Sequence, residues 1–207
     1  MEKILPGEWT EYYKVQYDNT TRKTLLKGLK YFEENLIDLD KVSIDIGCGQ
    51  GSDIKELLNR KWKVIGIDKE QEAIDILKNR FSNYIGNDLH VVKSKMDFVS
   101  IPNSSLINAS YSLPFCNPDN FSDLWRRIDN ALSINGIFCG QFFGINDSWA
   151  TNSNMTFHNK DQVDSLFSNY EFIYYREVEE DSKTALDTEK HWHVFHITAI
   201  KKEQLRL

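Results

Sequence analysis

VSIDIGCGQG, residues 42–51, joins a short β-rich run to three glycines at alternate positions. The first five residues predict a buried strand. Glycine at positions 47, 49 and 51 lets backbone N–H groups approach a ligand without a Cβ atom in the way. The next residues, 52–60, place their apolar side chains on one helical face. We therefore expect a strand, a ligand-binding loop and a helix; the alternative is a tight turn that needs glycine only for its geometry.

A second strand and helix follow the first pair. Residues 63–67 (KVIGI) predict the strand, and apolar residues recur at helical spacing after it. Asp68 ends this strand, 21 residues after Gly47, which resembles the distance of ~20 between a dinucleotide loop and its ribose-binding acid. A carboxylate at this position can accept hydrogen bonds from both hydroxyls of a ribose. The alternative role for Asp68 is a solvated helix N-cap.

Strands and helices continue to alternate along the rest of the chain. Further strands are predicted at 89–92, 106–112 and 136–144, and the runs 171–178 and 192–200 predict an antiparallel hairpin. Helices are predicted at 20–38, at 119–133 with Asn135 and Gly136 as its end, and at 162–167. Only a short connection fits between the third and fourth strands. We expect an α/β fold: a Rossmann-like, seven-stranded, mostly parallel sheet with helices on both faces and a C-terminal antiparallel strand pair.

Composition limits the classes of protein. The 207 residues predict one domain, 1–207, with an N-terminal helical cap over 1–40 and a core over 41–207. A net charge of -6 leaves no basic field for phosphates, so nucleic acid is not expected as a partner. No signal peptide and no run of ~18 apolar residues is present, which predicts a cytoplasmic protein without a membrane partner. Three scattered cysteines without a CxxC pair predict reduced thiols.

Three features favour S-adenosylmethionine over a dinucleotide as the ligand of the glycine loop. Ser52 stands where the dinucleotide fingerprint has its third glycine. Asp45, just before the loop, would repel a pyrophosphate but suits a ligand with an ammonium and a sulfonium group. The chain also leaves no room for a separate substrate domain of the kind dehydrogenases usually carry. A nucleotide (NAD-type) dependent oxidoreductase remains the first alternative, and a cofactor-binding protein without transfer activity is the second.

The motifs IDIGCGQG, VIGID and MDF resemble those of the class I S-adenosylmethionine-dependent methyltransferases. In size and layout the chain is similar to the tellurite-resistance and thiopurine types. The resemblance implies S-adenosyl-L-methionine as cofactor and a small-molecule acceptor. The sequence NASYSLPF differs from the NPPY-type tetrapeptide of many amino-group methyltransferases, so methylation of DNA or glutamine nitrogen is not indicated.

The same resemblance implies roles for individual residues. Three glycines would line the methionine end of the cofactor, Asp45 would orient its amino group, Asp68 would hold the ribose and Asp97 would accept from the adenine amine. Ser110 and Tyr111 would lie beside the departing methyl group. The full set expected to bind the cofactor is Asp45, Gly47, Cys48, Gly49, Gly51, Asp68, Lys69, Met96, Asp97 and Ser110.

The acceptor side of the site is less marked in the sequence. Methyl transfer needs alignment above all, and a base only for some acceptors, so no catalytic residue is assigned; Tyr111 and His158 are candidates. The long loop that starts at residue 145 follows a strand, and such loops often contact substrate. The expected substrate contacts are Tyr13, Tyr111, Asp147, Trp149 and His158, with plain surface packing as the alternative. Strand alternation keeps His191, His193 and His196 from converging, so no metal site is expected. The oligomeric state and the acceptor atom are left open.

Overall fold

A single twisted sheet forms the centre of the computed structural model, which describes Trp9 and residues 20–203. Seven strands lie in the order β3-β2-β1-β4-β5-β8-β7, and a two-residue strand, β6, pairs with β5. The strands are β1 (Val42–Ile46), β2 (Lys63–Asp68), β3 (Leu89–Lys93), β4 (Ser104–Ala109), β5 (Leu132–Gly144), β6 (Phe157–His158), β7 (Tyr170–Lys183) and β8 (Glu189–Lys201). Strands β1 to β5 run parallel, whereas β8 is antiparallel to both β5 and β7. The predicted α/β sheet with its antiparallel end is confirmed, and β6 is an addition to it.

Helices cover both faces of the sheet. They are α1 (Lys23–Glu34), α2 (Ser52–Asn59), α3 (Gln71–Arg80), α4 (Pro118–Ala131) and α5 (Lys160–Leu166). One buried cluster joins α1, α2 and α3 to the sheet, and a second joins α4 and α5 to it. Consecutive residues of β5 divide between the clusters, Phe138 with α4 and Cys139 with α1. Because neighbouring strand residues point to opposite faces, the two clusters lie on opposite sides of the sheet.

The structure differs from the predicted boundaries around β4 and β5. Helix α4 ends at Ala131 and passes directly into β5 at Leu132, so Asn135 and Gly136 lie inside the strand rather than closing the helix. Asn135 has a positive φ of 63°, and the pairing of β5 with β4 shifts register nearby. An Asn in the left-handed region thus marks an irregularity in the strand, because Asn tolerates that conformation whether or not a helix ends there.

Strand β4 is shorter than predicted, and the C-terminal hairpin is longer. The predicted fourth strand reached residue 112, but β4 ends at Ala109, and Tyr111 turns the chain with a φ of 53°. The hairpin pairs continuously from Tyr170 and Lys201 to Lys183 and Glu189, apart from one bulge. The predicted short connection between β3 and β4 is confirmed, since no helix lies between them. Within the described part of the chain, no helix is both long and apolar enough to span a membrane.

Candidate functional site

The glycine loop follows β1 and is held against the end of β2. The backbone N–H groups of Gly47 and Cys48 both donate to the carbonyl of Ile67, at 2.8 and 3.0 Å. Glycines 47, 49 and 51 all have positive φ, and a Cβ atom at position 47 would overlap the side chain of Ser112. These constraints alone account for glycine in the loop. The case for a ligand therefore depends on the side chains around it.

Three carboxylates surround the loop. Asp45 is buried at the end of β1, where its Oδ1 accepts a hydrogen bond from Asn108 Nδ2 at 2.8 Å. Burial raises the pKa of Asp45 well above its usual value, and the charges of Asp53 and Asp68 raise it further, against a lowering by Asn108. Among residues 20–203, no cationic side chain is a cause of this shift. The arrangement favours a positively charged ligand next to Asp45.

Asp53, in the first turn of α2, connects three parts of the site. Its Oδ1 accepts from the backbone N–H of Arg22 at 2.9 Å. Its Oδ2 accepts from Asn108 Nδ2 at 2.9 Å and from Ser110 Oγ at 2.6 Å. The carboxylate thus joins the start of α1 to the end of β4. The sequence analysis missed both Asp53 and Asn108; the only signal was an acid in the first turn of the helix that follows the loop.

Asp68 ends β2 beside the loop, as predicted. Its Oδ2 accepts from the N–H of Gly49 at 2.9 Å, and its Oδ1 accepts from the N–H of Glu70 at 2.9 Å. Burial raises the pKa of Asp68, while these two backbone hydrogen bonds lower it. The carboxylate therefore braces the loop and also contacts the N-cap residue of α3. Lys69 is exposed, and its Nζ lies 3.5 Å from a Glu70 carboxylate oxygen and 6.0 Å from the centre of the Trp9 ring.

The segment that contains Met96 and Asp97 is tied to α4. Oδ1 of Asp97 accepts from Asn120 Nδ2 at 3.1 Å and from the N–H of Asn117 at 3.4 Å. The guanidinium of Arg127 donates to the carbonyls of Met96 and Asp97, at 3.1 and 2.6 Å, and to that of Val99. These contacts fix the backbone after β3 without a helix. One oxygen of Asp97 is thereby engaged within the protein.

Tyr111 occupies the turn after β4, next to Ser110. Its backbone N–H donates to Gln141 Oε1 at 2.9 Å. The guanidinium carbon of Arg22 lies 5.0 Å from the centre of the Tyr111 ring, and the His196 ring lies 6.1 Å away on a perpendicular plane. A cluster of further aromatic rings continues from Tyr111: Phe115, Phe143, Trp149, Phe157 and Trp192. The carboxyl end of β4 is therefore bordered by carboxylates on one side and by aromatic and cationic groups on the other.

Two predicted substrate contacts prove to be buried, which corrects the sequence analysis. Asp147 forms a buried ion pair with Lys190 and also accepts from the N–H groups of Trp149 and His193. His158 packs against the rings of Phe121 and Phe142 beneath α4, and burial lowers its pKa to about 4. Asp147 is engaged by Lys190 and two backbone N–H groups, and His158 is enclosed by aromatic rings, so neither is assigned to a ligand at the end of β4. For the same reason His158 is withdrawn as a candidate base. Trp149, another predicted substrate contact, is half-exposed. Tyr13 lies outside the described residues.

The three histidines of β8 have separate environments. His191 pairs with Asp181 at 2.7 Å and His193 with Glu177 at 2.9 Å, both across the hairpin, while His196 faces Tyr111. Across the residues that the structure covers, no group of three or more His, Cys, Asp or Glu side chains could hold a metal ion.

Comparisons with known proteins agree with the fold and the loop. Residues 44–136 match the sequence model of a family described as "Methyltransferase domain". Carboxy-S-adenosyl-L-methionine synthase from Campylobacter concisus (strain 13826) is 25% identical over 96 residues, and that from Pasteurella multocida (strain Pm70) is 26% identical over 98. Each match covers 45% of this chain and 41% of the relative, so the chain aligns with about two fifths of those proteins.

Solved structures match over nearly the whole chain. TehB from Haemophilus influenzae has a TM-score of 0.73 and 14% identity, covering 93% of this chain and 66% of that one. Magnesium protoporphyrin IX methyltransferase from Synechocystis PCC 6803, with bound SAM, has a TM-score of 0.66 and 9% identity, covering 95% and 92%. The Burkholderia thailandensis 1,6-didemethyltoxoflavin-N1-methyltransferase has a TM-score of 0.61 and 16% identity, covering 98% and 93%. At these identities the likeness is one of fold.

The match to the family model covers the part of the chain that builds the cofactor side of the site. It begins within β1, and contains the glycine loop, both strand-end carboxylates at positions 45 and 68, and the turn after β4. The strand order and the antiparallel end of the sheet extend the agreement to the rest of the core. The chain therefore combines a match to a methyltransferase-domain sequence model over residues 44–136 with the fold of S-adenosylmethionine-dependent methyltransferases.

Proposed function

We propose that this protein binds S-adenosylmethionine at the glycine loop and transfers its methyl group to a small-molecule acceptor. The observation that carries the proposal is the buried carboxylate of Asp45, whose raised pKa reflects burial and the charges of Asp53 and Asp68, with no cation of the described residues among its causes. S-adenosylmethionine brings an ammonium and a sulfonium group to such a site. A dinucleotide would bring a pyrophosphate, which the same carboxylates repel. The charge of the site thus favours the methyl donor over the NAD-type alternative.

Each residue of the cofactor side has a proposed task. Asp45 receives the ammonium group of the methionine part, and the loop backbone lies against that part because glycine leaves room for it. Asp68 accepts from the ribose hydroxyls with the acceptor capacity that Gly49 and Glu70 leave, since each carboxylate oxygen can accept more than one hydrogen bond. Asp97 and Met96 contact the adenine. Cys48 and Lys69 complete the set beside the loop and the ribose.

Methyl transfer requires the acceptor atom to be aligned with the methyl group of the donor. The bound donor supplies a methyl group on positively charged sulfur, and the protein holds the acceptor in line with the carbon–sulfur bond. Ser110 and Tyr111 lie at the end of β4, where the acceptor would meet the methyl group. Ser110 is held by Asp53, and the Tyr111 backbone is held by Gln141. Both positions are thus tied to neighbouring elements by hydrogen bonds, which favours in-line transfer.

A small acceptor is favoured by the charge and by the relatives. The net charge of -6 opposes nucleic acid as a substrate. One structural neighbour is named for the small molecule 1,6-didemethyltoxoflavin and another for magnesium protoporphyrin IX. We place the reaction in the cytoplasm, where the donor is made and where the three buried thiols stay reduced.

Calorimetric titration tests the proposal with S-adenosylmethionine, S-adenosylhomocysteine and NADH in parallel. We expect both sulfur compounds to bind and NADH to fail. Asp45→Asn should weaken S-adenosylmethionine binding by about 10- to 100-fold, because a hydrogen bond to a charged group contributes about 1.5–3 kcal/mol. The matched control is Asp75→Asn, an exposed α3 residue whose carboxylate accepts a hydrogen bond from Gln71, and this variant should bind normally. Binding of NADH alone would overturn the proposal.

A second measurement separates transfer from mere binding. Protein, radiolabelled S-adenosylmethionine and the small-molecule fraction of a cell extract are incubated together, and label is followed into new small compounds. Label that appears with the wild type and is lost with Asp45→Asn supports methyl transfer. Normal cofactor binding without transfer to any compound would favour a binding protein instead.

A further inference from the structure

Four half-exposed aromatic rings meet beyond the end of β4. Tyr111 and Phe115 come from the segment after β4, Trp149 from the loop after β5 and Trp192 from β8, and all four surround the buried ring of Phe143. The ring centres of Phe143 and these four neighbours lie 5.8–6.5 Å apart. We call the four half-exposed rings the aromatic wall. Clustered aromatic surface that stays partly exposed is typical of a site for a flat apolar ligand.

Lys190 and Thr156 hold the aromatic wall in place. The ammonium of Lys190 lies 4.3 Å from the centre of the Trp149 ring and 4.2 Å from that of Trp192, and it pairs with Asp147. The loop that carries Trp149 is further held by Thr156, which bonds the carbonyls of Pro114 and Cys116. The loop is therefore a built wall of the site rather than a free lid. A preformed surface of this kind binds a ligand without first ordering its own side chains.

Cationic groups border the wall on the side of α1. The guanidinium of Arg22 stacks on Tyr111, and Arg176 stands opposite His196 across the hairpin. Among residues 20–203, neither Arg22, Lys23 nor Arg176 forms an ion pair with a carboxylate. These groups also act on His196, whose pKa is lowered to about 4 by burial and then by Arg176, Arg22 and Lys23. In a chain with net charge -6, this side of the site attracts anions.

From this arrangement we infer that the methyl acceptor has a planar aromatic body and an anionic group. The body lies against the aromatic wall, and the anion lies next to Arg22 and His196. The cofactor side of the same site is acidic, so each of the two ligands meets groups of opposite charge. This inference rests on the proposed methyl transfer, and it names the class of acceptor.

The test measures binding of matched probes to protein saturated with S-adenosylhomocysteine. The probes share a naphthalene ring and differ in charge: 2-naphthoate, 2-naphthalenemethanol and 2-naphthylmethylammonium. Cyclohexanecarboxylate supplies the anion without a planar ring. We expect 2-naphthoate to bind at least tenfold more tightly than each of the other three, and ligand-observed NMR or calorimetry gives the dissociation constants.

Two variants locate the effect. Arg22→Gln keeps the backbone N–H that Asp53 accepts and should weaken 2-naphthoate by about 5- to 20-fold while leaving the neutral alcohol unchanged. Trp192→Leu should weaken both probes. The matched control is Arg126→Gln, which removes an exposed arginine on α4 that pairs only with Asp123 and should change neither.

The outcomes distinguish this inference from the proposed function. If S-adenosylhomocysteine does not bind the wild type, the proposed function fails and the inference fails with it. If S-adenosylhomocysteine binds but the naphthoate has no advantage over the alcohol, or keeps its affinity in Arg22→Gln, the inference alone is overturned.

Discussion

Replacing Lys190 by methionine is the most demanding test of how the loop after β5 is held. The side chains of Lys190 and Asp147 are 1% and 0% exposed, so neither charge reaches water. Methionine keeps the length of the lysine stem and removes its charge. The carboxylate of Asp147 then stays buried with only the N–H groups of Trp149 and His193 to accept from.

The expected loss of stability is large. Removing one partner of a buried ion pair costs about 3–5 kcal/mol, because the remaining charge has no counterion. The loss of the contacts between the ammonium and the rings of Trp149 and Trp192 adds to this, by about 0.5–2 kcal/mol in all. The double variant Lys190→Met with Asp147→Leu leaves no buried charge. We expect it to recover most of the loss.

Urea unfolding followed by circular dichroism measures Lys190→Met, Asp147→Leu and the double variant, and the three values give the coupling energy of the pair. An exposed pair serves as the control: Lys160→Met breaks the contact with Asp164 on α5, where both side chains are near or above 40% exposure, and should cost at most about 1 kcal/mol. The reasoning is refuted if Lys190→Met costs less than about 1 kcal/mol or if the double variant is no more stable than the single one.

Three further predictions concern the loop and the titratable groups. Gly47→Ala should destabilise the protein more than Gly86→Ala in thermal unfolding. Both glycines have positive φ, where an alanine costs about 1–2 kcal/mol, but only the Cβ atom at position 47 would also overlap Ser112. His158 has a pKa of about 4 in the folded protein against 6.5 as its ordinary value, so the unfolded chain binds more protons between these pH values and stability falls on acidification. His158 should account for about 2 kcal/mol of the loss between pH 7 and pH 5; His196, whose pKa is also lowered to about 4, adds a loss of its own. His158→Leu should therefore remove only the His158 share from the pH profile of urea unfolding. Because Asp45 has a raised pKa, binding of S-adenosylmethionine should release protons and become tighter as pH rises. Calorimetry in two buffers of different ionisation heat will detect the proton release, and Asp45→Asn should abolish that release.

Local sequence patterns were enough to predict the sheet. Its strands are short β-rich runs separated by amphipathic helices, and this alternation dictates parallel pairing. The errors fall where tertiary contacts override local preference. Asn135 and Gly136 have the composition of a helix end, yet the pairing of Leu132 with Ser104 already places the chain in β5. Tyr111 continues a β-rich run, but its positive φ ends the strand early.

The candidate site divides in the same way. Asp45 and Asp68 could be predicted because their role follows from their place at strand ends. Asp53 could not, because its partners Arg22 and Ser110 are 31 and 57 residues away. The burial of Asp147 was equally hidden, since it depends on a lysine 43 residues further along the chain.

The shared carboxylate of Asp53 has a thermodynamic consequence. It accepts at once from Arg22, the N-cap residue of α1, and from Ser110 at the end of β4, so the start of that helix and the cofactor side share one group. Coupling of this kind is reciprocal: whatever factor the cofactor adds to the docking of α1, a docked α1 adds to cofactor affinity. A larger residue at Gly28 would place a Cβ atom 2.5 Å from Cys139 Sγ. We expect such a change, remote from the ligand, to weaken cofactor binding. We therefore expect α1 to influence cofactor affinity through the hydrogen bond between Arg22 and Asp53.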